Sequence, residues 1–285
     1  MTAGVPTMAA STSSARRHLL RGIAGLGLAL GLATGAHAQS VVRVASTPGV
    51  TSDAVQALVE EGRRNGLDIR LVEFTDWTLP NEAVNHGDAD LNFFQHQAFL
   101  DNAVKERGYR LQVIGLGLLQ NIGLYSDRHT TLDALPRGAK VSVPNDPVNQ
   151  GRGLLLLQKA GLIQLRQGAA ADARLDDVVE NPKGLKFFEI EGPQLIHSLR
   201  DVDLAVVWPS YFVNAGRKEQ AGKGLLYSGI DDTFYAMGFV ARTDRAQDPA
   251  LRKFVALFQQ SAAVRQTISD RFGGNPNLYT LPWQR

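Results

Sequence analysis

Arg152 is the residue whose position in this sequence most clearly indicates a binding function. It follows a short apolar strand predicted for residues 140–143 and a turn built around Pro147. With Asn149 as the N-cap and a helix from Gln150 onward, Arg152 lies in the first helical turn. The helix dipole disfavours a cation there by about 0.3–1 kcal/mol. The position becomes favourable if an anion binds both the guanidinium and the free backbone N–H groups of that turn.

The neighbours of Arg152 support the same interpretation. Gly151 and Gly153 flank it, and their small size is expected to leave room for a ligand to approach. We therefore predict a site for a carboxylate or another small anion. The alternative interpretation is an exposed arginine that forms an ion pair with Asp146.

Aromatic residues follow the ends of several predicted strands and indicate an apolar pocket lined by rings. Phe93 and Phe94 end a strand over residues 91–94, and one of the two is expected in the core because alternate side chains point to opposite faces. Arg152 would hold the charged end of the guest. The rings at these strand ends belong to Trp77, Trp208 and one of Phe93 and Phe94.

Catalytic motifs are missing from the sequence. It has no cysteine and no Gly-x-Ser-x-Gly nucleophile motif, and its Gly115–Gln120 segment lacks the third glycine of a dinucleotide-binding fingerprint. We interpret residues 86–90, His-Gly-Asp-Ala-Asp, as a polar turn and predict no metal site, no cofactor and no catalytic residue. In the alternative, an enzyme on the same scaffold, His96 is the candidate general base.

Residues 1–38 are predicted to be a signal peptide. Arg16, Arg17 and Arg21 precede or enter an apolar run over residues 22–36, and Ala36-His37-Ala38 resembles a cleavage site. This segment holds three of the 30 Lys and Arg residues, so the rest of the chain, with 28 Asp and Glu, is close to neutral. A nucleic-acid partner is therefore not indicated. With no cysteine to carry a lipid, we predict a periplasmic protein without a lipid anchor.

The mature chain alternates predicted strands and helices, which indicates an α/β fold with mostly parallel strands. We predict two lobes with a ligand cleft between them. The first comprises residues 41–122 plus 234–285 and the second residues 123–233. Clefts at the carboxyl ends of strands are where α/β proteins bind ligands.

Several motifs occur in the same order as in the NlpA/MetQ family of methionine-binding proteins, which the sequence resembles. They are Thr47-Pro48-Gly49, Phe94-Gln95-His96, Pro144-Asn145-Asp146-Pro147, Asn149-Gln150-Gly151-Arg152 and the segments 72–76, 105–109, 123–126 and 179–183. The resemblance implies a two-lobed, periplasmic-binding-protein-like fold and a non-enzymatic role. It also implies a small-molecule ligand and a partner, an ABC permease and ATPase complex in the inner membrane.

Matched position by position, the resemblance implies that Arg152 binds the ligand carboxylate and that Asn149 supports it. Phe94, His96 and Trp77 would form the wall of the side-chain pocket.

The chain differs from the family at Trp208 and Met237, where methionine-binding members tend to have asparagines that hold the amino-acid end of the ligand. The predicted ligand is methionine or a related small amino acid or carboxylate. The alternative is an apolar or aromatic carboxylate without an amino group, or a periplasmic sensor on the same scaffold.

Overall fold

The computed structural model describes residue 1 and residues 39–284 of the protein. Apart from its first residue, the predicted signal peptide lies outside the described residues. The strands are β1 (Ser40–Ser46), β2 (Leu67–Glu73), β3 (Leu91–His96), β4 (Leu111–Gln120), β5 (Gly123–Tyr125), β6 (Lys140–Pro144), β7 (Gln164–Leu165), β8 (Val178–Glu180), β9 (Lys186–Ile190), β10 (Leu204–Val207), β11 (Leu226–Tyr227), β12 (Met237–Arg242) and β13 (Tyr279–Thr280).

The α-helices of the described residues alternate with these strands. They are α1 (Val50–Arg64), α2 (Leu79–His86), α3 (Gln97–Arg107), α4 (Pro147–Lys159), α5 (Leu195–Ser198), α6 (Pro209–Asn214), α7 (Lys218–Ala221), α8 (Pro249–Gln260) and α9 (Ala262–Arg271). The α/β prediction is confirmed. Within the described part of the chain, no helix has both the length and the apolar character needed to cross a membrane.

The larger sheet has six strands in the order β13-β4-β12-β3-β1-β2. β1 pairs in parallel with both β2 and β3, whereas β12 runs antiparallel between β3 and β4. The chain thus leaves this sheet after β4 and returns to it at β12. This return is why residues distant in sequence meet at one end of the sheet.

The smaller sheet has five strands in the order β11-β5-β10-β6-β9. β6 is parallel to β9 and β10, and β5 is antiparallel to β10 and β11. Both sheets are therefore mixed: β12 and β13 in the larger sheet and β5 in the smaller one run against the remaining strands of their sheet, which share one direction as predicted. Periodicity identifies a strand but not the direction of its neighbours, because pairing is decided by contacts between distant segments.

A cluster of phenylalanine rings packs the core against the larger sheet. Phe93 is fully buried, and its ring stacks on Phe239 with centroids 4.5 Å apart. Phe258 contacts both rings edge to face. A Cβ added at Gly117 would lie 2.2 Å from the Phe93 ring, so β4 can pass this close only with glycine there.

Helix α4 begins earlier than the sequence analysis predicts. Its N-cap is Asp146, whose carboxylate accepts a hydrogen bond from the backbone N–H of Asn149 at 2.9 Å, and Pro147 occupies the first turn. Asn149 is therefore not the cap, and Arg152 lies in the second turn rather than the first. Aspartate followed by proline is a favourable helix start, and it prevails over the asparagine three positions later.

Candidate functional site

All the residues predicted to bind a ligand line one cavity between the two sheets. Its volume is about 60 Å³, room for about four to six water molecules, which suits a small metabolite rather than a peptide. The role of the predicted residues in ligand binding stays a prediction. The predicted residues among the lining are Trp77, Phe94, His96, Asn149, Arg152, Trp208 and Met237.

The ends of strands and the starts of helices place these side chains. His96 ends β3 and Met237 begins β12, and the two residues are paired across the larger sheet. On the other side, Arg152 lies on α4, which follows β6, and Trp208 is the N-cap of α6, which follows β10. The cavity therefore lies where the two sheets face each other.

Arg152 is buried, with 6% of its surface exposed. Its Nη2 donates a hydrogen bond to the carbonyl oxygen of Gln120 at 3.2 Å, and its guanidinium carbon lies 4.5 Å from the centre of the Tyr235 ring. Burial lowers the pKa of Arg152 to about 10, opposed by the attraction of Tyr235 and Asp232. The side chain is therefore still a cation at neutral pH.

No carboxylate among the described residues forms an ion pair with Arg152. Asp146, the partner in the alternative interpretation, instead accepts hydrogen bonds from the backbone and side-chain nitrogens of Asn149. The alternative of an exposed arginine paired with Asp146 is therefore wrong. A buried cation without a carboxylate is costly, so its position calls for an anion from outside the chain.

Hydrogen bonds connect Asp146, Asn149 and His96 in series. Asn149 Nδ2 donates to both Asp146 carboxylate oxygens at 3.1 Å, and Asn149 Oδ1 lies 3.1 Å from His96 Nε2. His96 Nδ1 accepts from the backbone N–H of Phe99 at 3.2 Å, which makes His96 the N-cap of α3. Since Nδ1 accepts, the ring is the neutral tautomer that carries its proton on Nε2.

Burial and, to a smaller extent, the nearby Arg152 cation together lower the pKa of His96 to about 3, against the bond from Asn149. Both ring nitrogens are already hydrogen-bonded. A general base needs a free lone pair within reach of the substrate. The geometry therefore gives no support to His96 as the base of an enzyme.

Aromatic rings from both sides of the cavity contact one another. Trp77, in the loop between β2 and α2, meets Trp208 edge to face with ring centroids 5.8 Å apart. Trp77 also meets Phe99, at 6.1 Å. Phe94 lines the cavity whereas Phe93 is in the core, as the alternation along the strand predicts. The cavity is thus walled by rings, with Arg152 as its fixed charge.

Gly151 and Gly153 do not leave room for a ligand, contrary to the prediction. A Cβ on Gly151 would lie 2.2 Å from the carbonyl oxygen of Ala171, and one on Gly153 would lie 3.3 Å from the side chain of Val206. Both glycines let α4 pack closely against the protein itself. That close packing holds Arg152 at its position.

In the 86–90 segment, His86 is the last residue of α2 and residues 87–90 form the turn to β3, and the buried acid of this turn has a structural role. Asp90 accepts hydrogen bonds from the backbone N–H and Nε of Arg43, at 2.8 and 3.0 Å, and also pairs with Arg245. Among the described residues, no group of three or more His, Asp or Glu side chains is placed to hold a metal ion.

Comparison with known proteins agrees with this geometry. The family model described as NlpA lipoprotein matches residues 42–277, which is most of the chain.

The chain belongs to the NlpA lipoprotein family.

Individual members of the NlpA family are similar along most of their length. The D-methionine-binding lipoprotein MetQ of Escherichia coli is 42% identical over 213 residues, covering 73% of this chain and 77% of the relative. The structure of a nutrient binding protein from Burkholderia cenocepacia bound to methionine superposes with a TM-score of 0.77 at 37% identity, covering 82% of this chain and 97% of that one. A periplasmic substrate-binding protein of an ABC transporter from Coxiella burnetii also superposes with a TM-score of 0.77 at 37% identity, covering 82% of this chain and 97% of that one.

These names contradict one prediction. The NlpA family and the relatives named MetQ are described as lipoproteins. A further relative, from Mannheimia haemolytica, is named an outer membrane lipoprotein. The predicted location, a periplasmic protein without a lipid anchor, is therefore wrong. It depended on a single observation, that the sequence has no cysteine.

Several residues that line the cavity of this NlpA family member were not predicted from the sequence. Gln120 ends β4, but Gly115 and Gly117 weaken the strand signal that leads to it. Tyr235 gives no strand-end signal, because it lies in a short helical turn before β12, which begins at Met237. The rings of Phe99 and Tyr211 are carried by helices, where strand ends give no signal.

Proposed function

We propose that this chain is the substrate-binding protein of an ABC importer and that it captures methionine in the cavity between two lobes. The observation that carries the proposal is the buried guanidinium of Arg152, which has no carboxylate partner among the described residues and faces a ring-lined cavity. A carboxylate ligand would supply the missing charge and use both nitrogens of the guanidinium fork.

The relatives support methionine as the ligand. MetQ of Escherichia coli is named for binding D-methionine, and the similar structure from Burkholderia cenocepacia is described as bound to methionine. They favour methionine over a carboxylate without an amino group. The same relatives are binding proteins of transporters rather than enzymes.

The remaining predicted site residues fit roles around that ligand. Asn149 is held by Asp146 and in turn orients His96. The rings of Trp77, Phe94 and His96 would surround the methionine side chain, because a thioether packs favourably against aromatic edges.

The distribution of strands supports the proposed lobes. β1 to β4, β12 and β13 form the larger sheet, and β5, β6 and β9 to β11 form the smaller one, so we propose lobes of residues 41–122 plus 234–285 and 123–233. Contacts such as Trp77 with Trp208 join the two sheets across the cavity. Ligand capture by closing the lobes needs only that the closed arrangement binds more tightly than the open one.

The proposed partner is an ABC permease and ATPase complex in the inner membrane, to which the closed, loaded protein would deliver its ligand. This part of the proposal is supported by the relatives, since the similar structure from Coxiella burnetii is described as a periplasmic substrate-binding protein of an ABC transporter.

Native mass spectrometry of the purified protein, followed by denaturation and identification of the released molecule, tests the proposal. We expect one methionine per chain. After unfolding and refolding to remove any carried ligand, titration with D- and L-methionine should restore the complex. Release of a carboxylate without an amino group, or no binding of either methionine, would contradict the proposed function.

A further inference from the structure

Gln120 lines the cavity and has a side-chain acceptor that no other group of the described residues uses. Its side-chain oxygen Oε1 is buried and has no hydrogen-bond partner among the described residues, and the residue lines the same cavity as Arg152. Buried polar atoms in folded proteins are almost always hydrogen-bonded. An exception inside a ligand cavity indicates a group that the ligand satisfies.

The position of Gln120 suits one particular group of the proposed ligand. Its backbone carbonyl accepts the hydrogen bond from Arg152 Nη2 at 3.2 Å, so this residue lies beside the guanidinium that would bind the carboxylate. In an α-amino acid the ammonium nitrogen lies about 2.5 Å from the carboxylate carbon, from standard bond lengths and angle. A ligand whose carboxylate contacts Arg152 therefore places its ammonium group near Gln120.

Two other amide oxygens of residues that line the cavity are already used. Asn149 Oδ1 is bonded to His96 Nε2 at 3.1 Å, and Gln95 Oε1 accepts from Asn81 Nδ2 at 2.9 Å. The described residues that line the cavity include no aspartate or glutamate. An ammonium group in this cavity thus needs an acceptor that is neither a carboxylate nor one of these two amides.

We propose that Gln120 determines the specificity for α-amino acids by accepting a hydrogen bond from the ligand ammonium group at its Oε1. This inference rests on the proposed function, since it assumes an α-amino acid whose carboxylate contacts Arg152. It also explains how the cavity can hold an amino acid although Trp208 and Met237 provide no amide. A site with a buried acceptor for a ligand N–H rejects the analogue that lacks that group, because the acceptor then stays unpaired.

The test compares two ligands and three variants by isothermal titration calorimetry on refolded, ligand-free protein. The ligands are methionine, as both enantiomers, and 4-(methylthio)butanoate, which is methionine without its amino group. The variants are Gln120→Leu, Gln120→Glu and, as a control on the same strand but outside the cavity, Gln112→Leu. Circular dichroism and thermal unfolding show whether each variant is folded.

We expect the unmodified protein to bind methionine at least about tenfold more tightly than 4-(methylthio)butanoate. Gln120→Leu should abolish this preference by weakening methionine binding, with the affinity for the analogue changed less than about twofold. Gln120→Glu, whose carboxylate can only accept, should keep the preference for methionine. Gln112→Leu should change neither affinity.

Three results would overturn the inference, and they differ from the result that would overturn the function. If Gln120→Leu keeps the preference for methionine, the ammonium is held elsewhere. If Gln120→Leu weakens the binding of both ligands equally, Gln120 has a structural role only. If Gln120→Glu loses the preference, the amide acts as a donor. In each of these cases methionine binding by the unmodified protein still supports the proposed function, whereas its absence would overturn both.

Discussion

His96 Nε2 and Asn149 Oδ1 lie 3.1 Å apart and join the larger sheet to the smaller one. His96 ends β3, and Asn149 lies in the first turn of α4. Because His96 Nδ1 accepts from the backbone N–H of Phe99, the ring is kept in the tautomer that donates to Asn149. The bond from Phe99 requires a neutral histidine, because a protonated Nδ1 cannot accept, and this makes the N-cap of α3 sensitive to acid.

We predict that His96 makes the protein less stable as the pH falls. The ordinary pKa of 6.5 is lowered to about 3 in the folded chain, mainly by burial. Between these values the unfolded chain binds a proton that the folded chain does not, so stability present above pH 6.5 is lost as the pH falls toward 3. From pH 7 to pH 5 this loss is about 2 kcal/mol.

Urea unfolding at pH 7 and pH 5 measures this effect, with His96→Asn as the comparison because asparagine is also a good N-cap. The free energy of unfolding of the variant should fall by about 2 kcal/mol less than that of the unmodified protein between the two pH values. An equal fall in both proteins would show that His96 is not responsible.

Arg152→Ala should weaken methionine binding by about 2–5 kcal/mol, as the loss of a buried charge partner does. Arg152→Lys should weaken methionine binding by less than Arg152→Ala does, because lysine keeps the charge but loses the planar fork that matches a carboxylate. The control is Arg200→Ala, a change of the same type at an exposed position. Calorimetric titration checks the prediction, and a loss below about 0.5 kcal/mol would remove Arg152 from the site.

Trp208→Asn should make the protein less stable and bind methionine more tightly. Trp208 is only 6% exposed and contacts both Trp77 and Tyr211 edge to face, so its loss should lower the free energy of unfolding by about 3 kcal/mol. The new amide adds a hydrogen-bonding group to the cavity, worth about 1 kcal/mol in affinity. Thermal unfolding and calorimetry separate the two effects, and a folded variant with no gain would contradict the assigned position of the amino-acid end.

Gly151→Ala and Gly153→Ala form a matched pair within helix α4. The Cβ at position 151 would meet backbone atoms of Ala171, at 2.2 Å from the oxygen, so the loop or the helix must move. We expect a loss of about 1–3 kcal/mol in the free energy of unfolding. At position 153 the nearest atoms are 3.3 Å away on the Val206 side chain. The better helix propensity of alanine should offset most of the cost of this close contact, so the free energy of unfolding should change little. Similar values for the two variants in chemical denaturation would contradict this account.

Much of the fold was predictable from local patterns. Helix α3 ends where Gly108 follows it, and this glycine has the positive φ of 69° that favours glycine at a helix end. Helix α8 also matches its apolar periodicity, with Leu251, Phe254, Val255 and Phe258 buried on one side. These features depend on residues close together in the chain, so a window of the sequence contains the information.

The sequence by itself also determined which groups could recognise a ligand. A cation near the start of a helix and rings at the ends of strands indicated an anion site beside an apolar wall, because side-chain chemistry does not depend on the fold, although the sequence pattern places Arg152 one turn too early in α4. Only the tertiary structure decided that Arg152 has no carboxylate partner among the described residues and that Gln120 lines the same cavity and has an unused oxygen. It also decided the roles of Gly151 and Gly153, whose neighbours are distant in sequence. Partners, packing and strand direction arise from contacts between distant segments, and these exist only once the chain has folded.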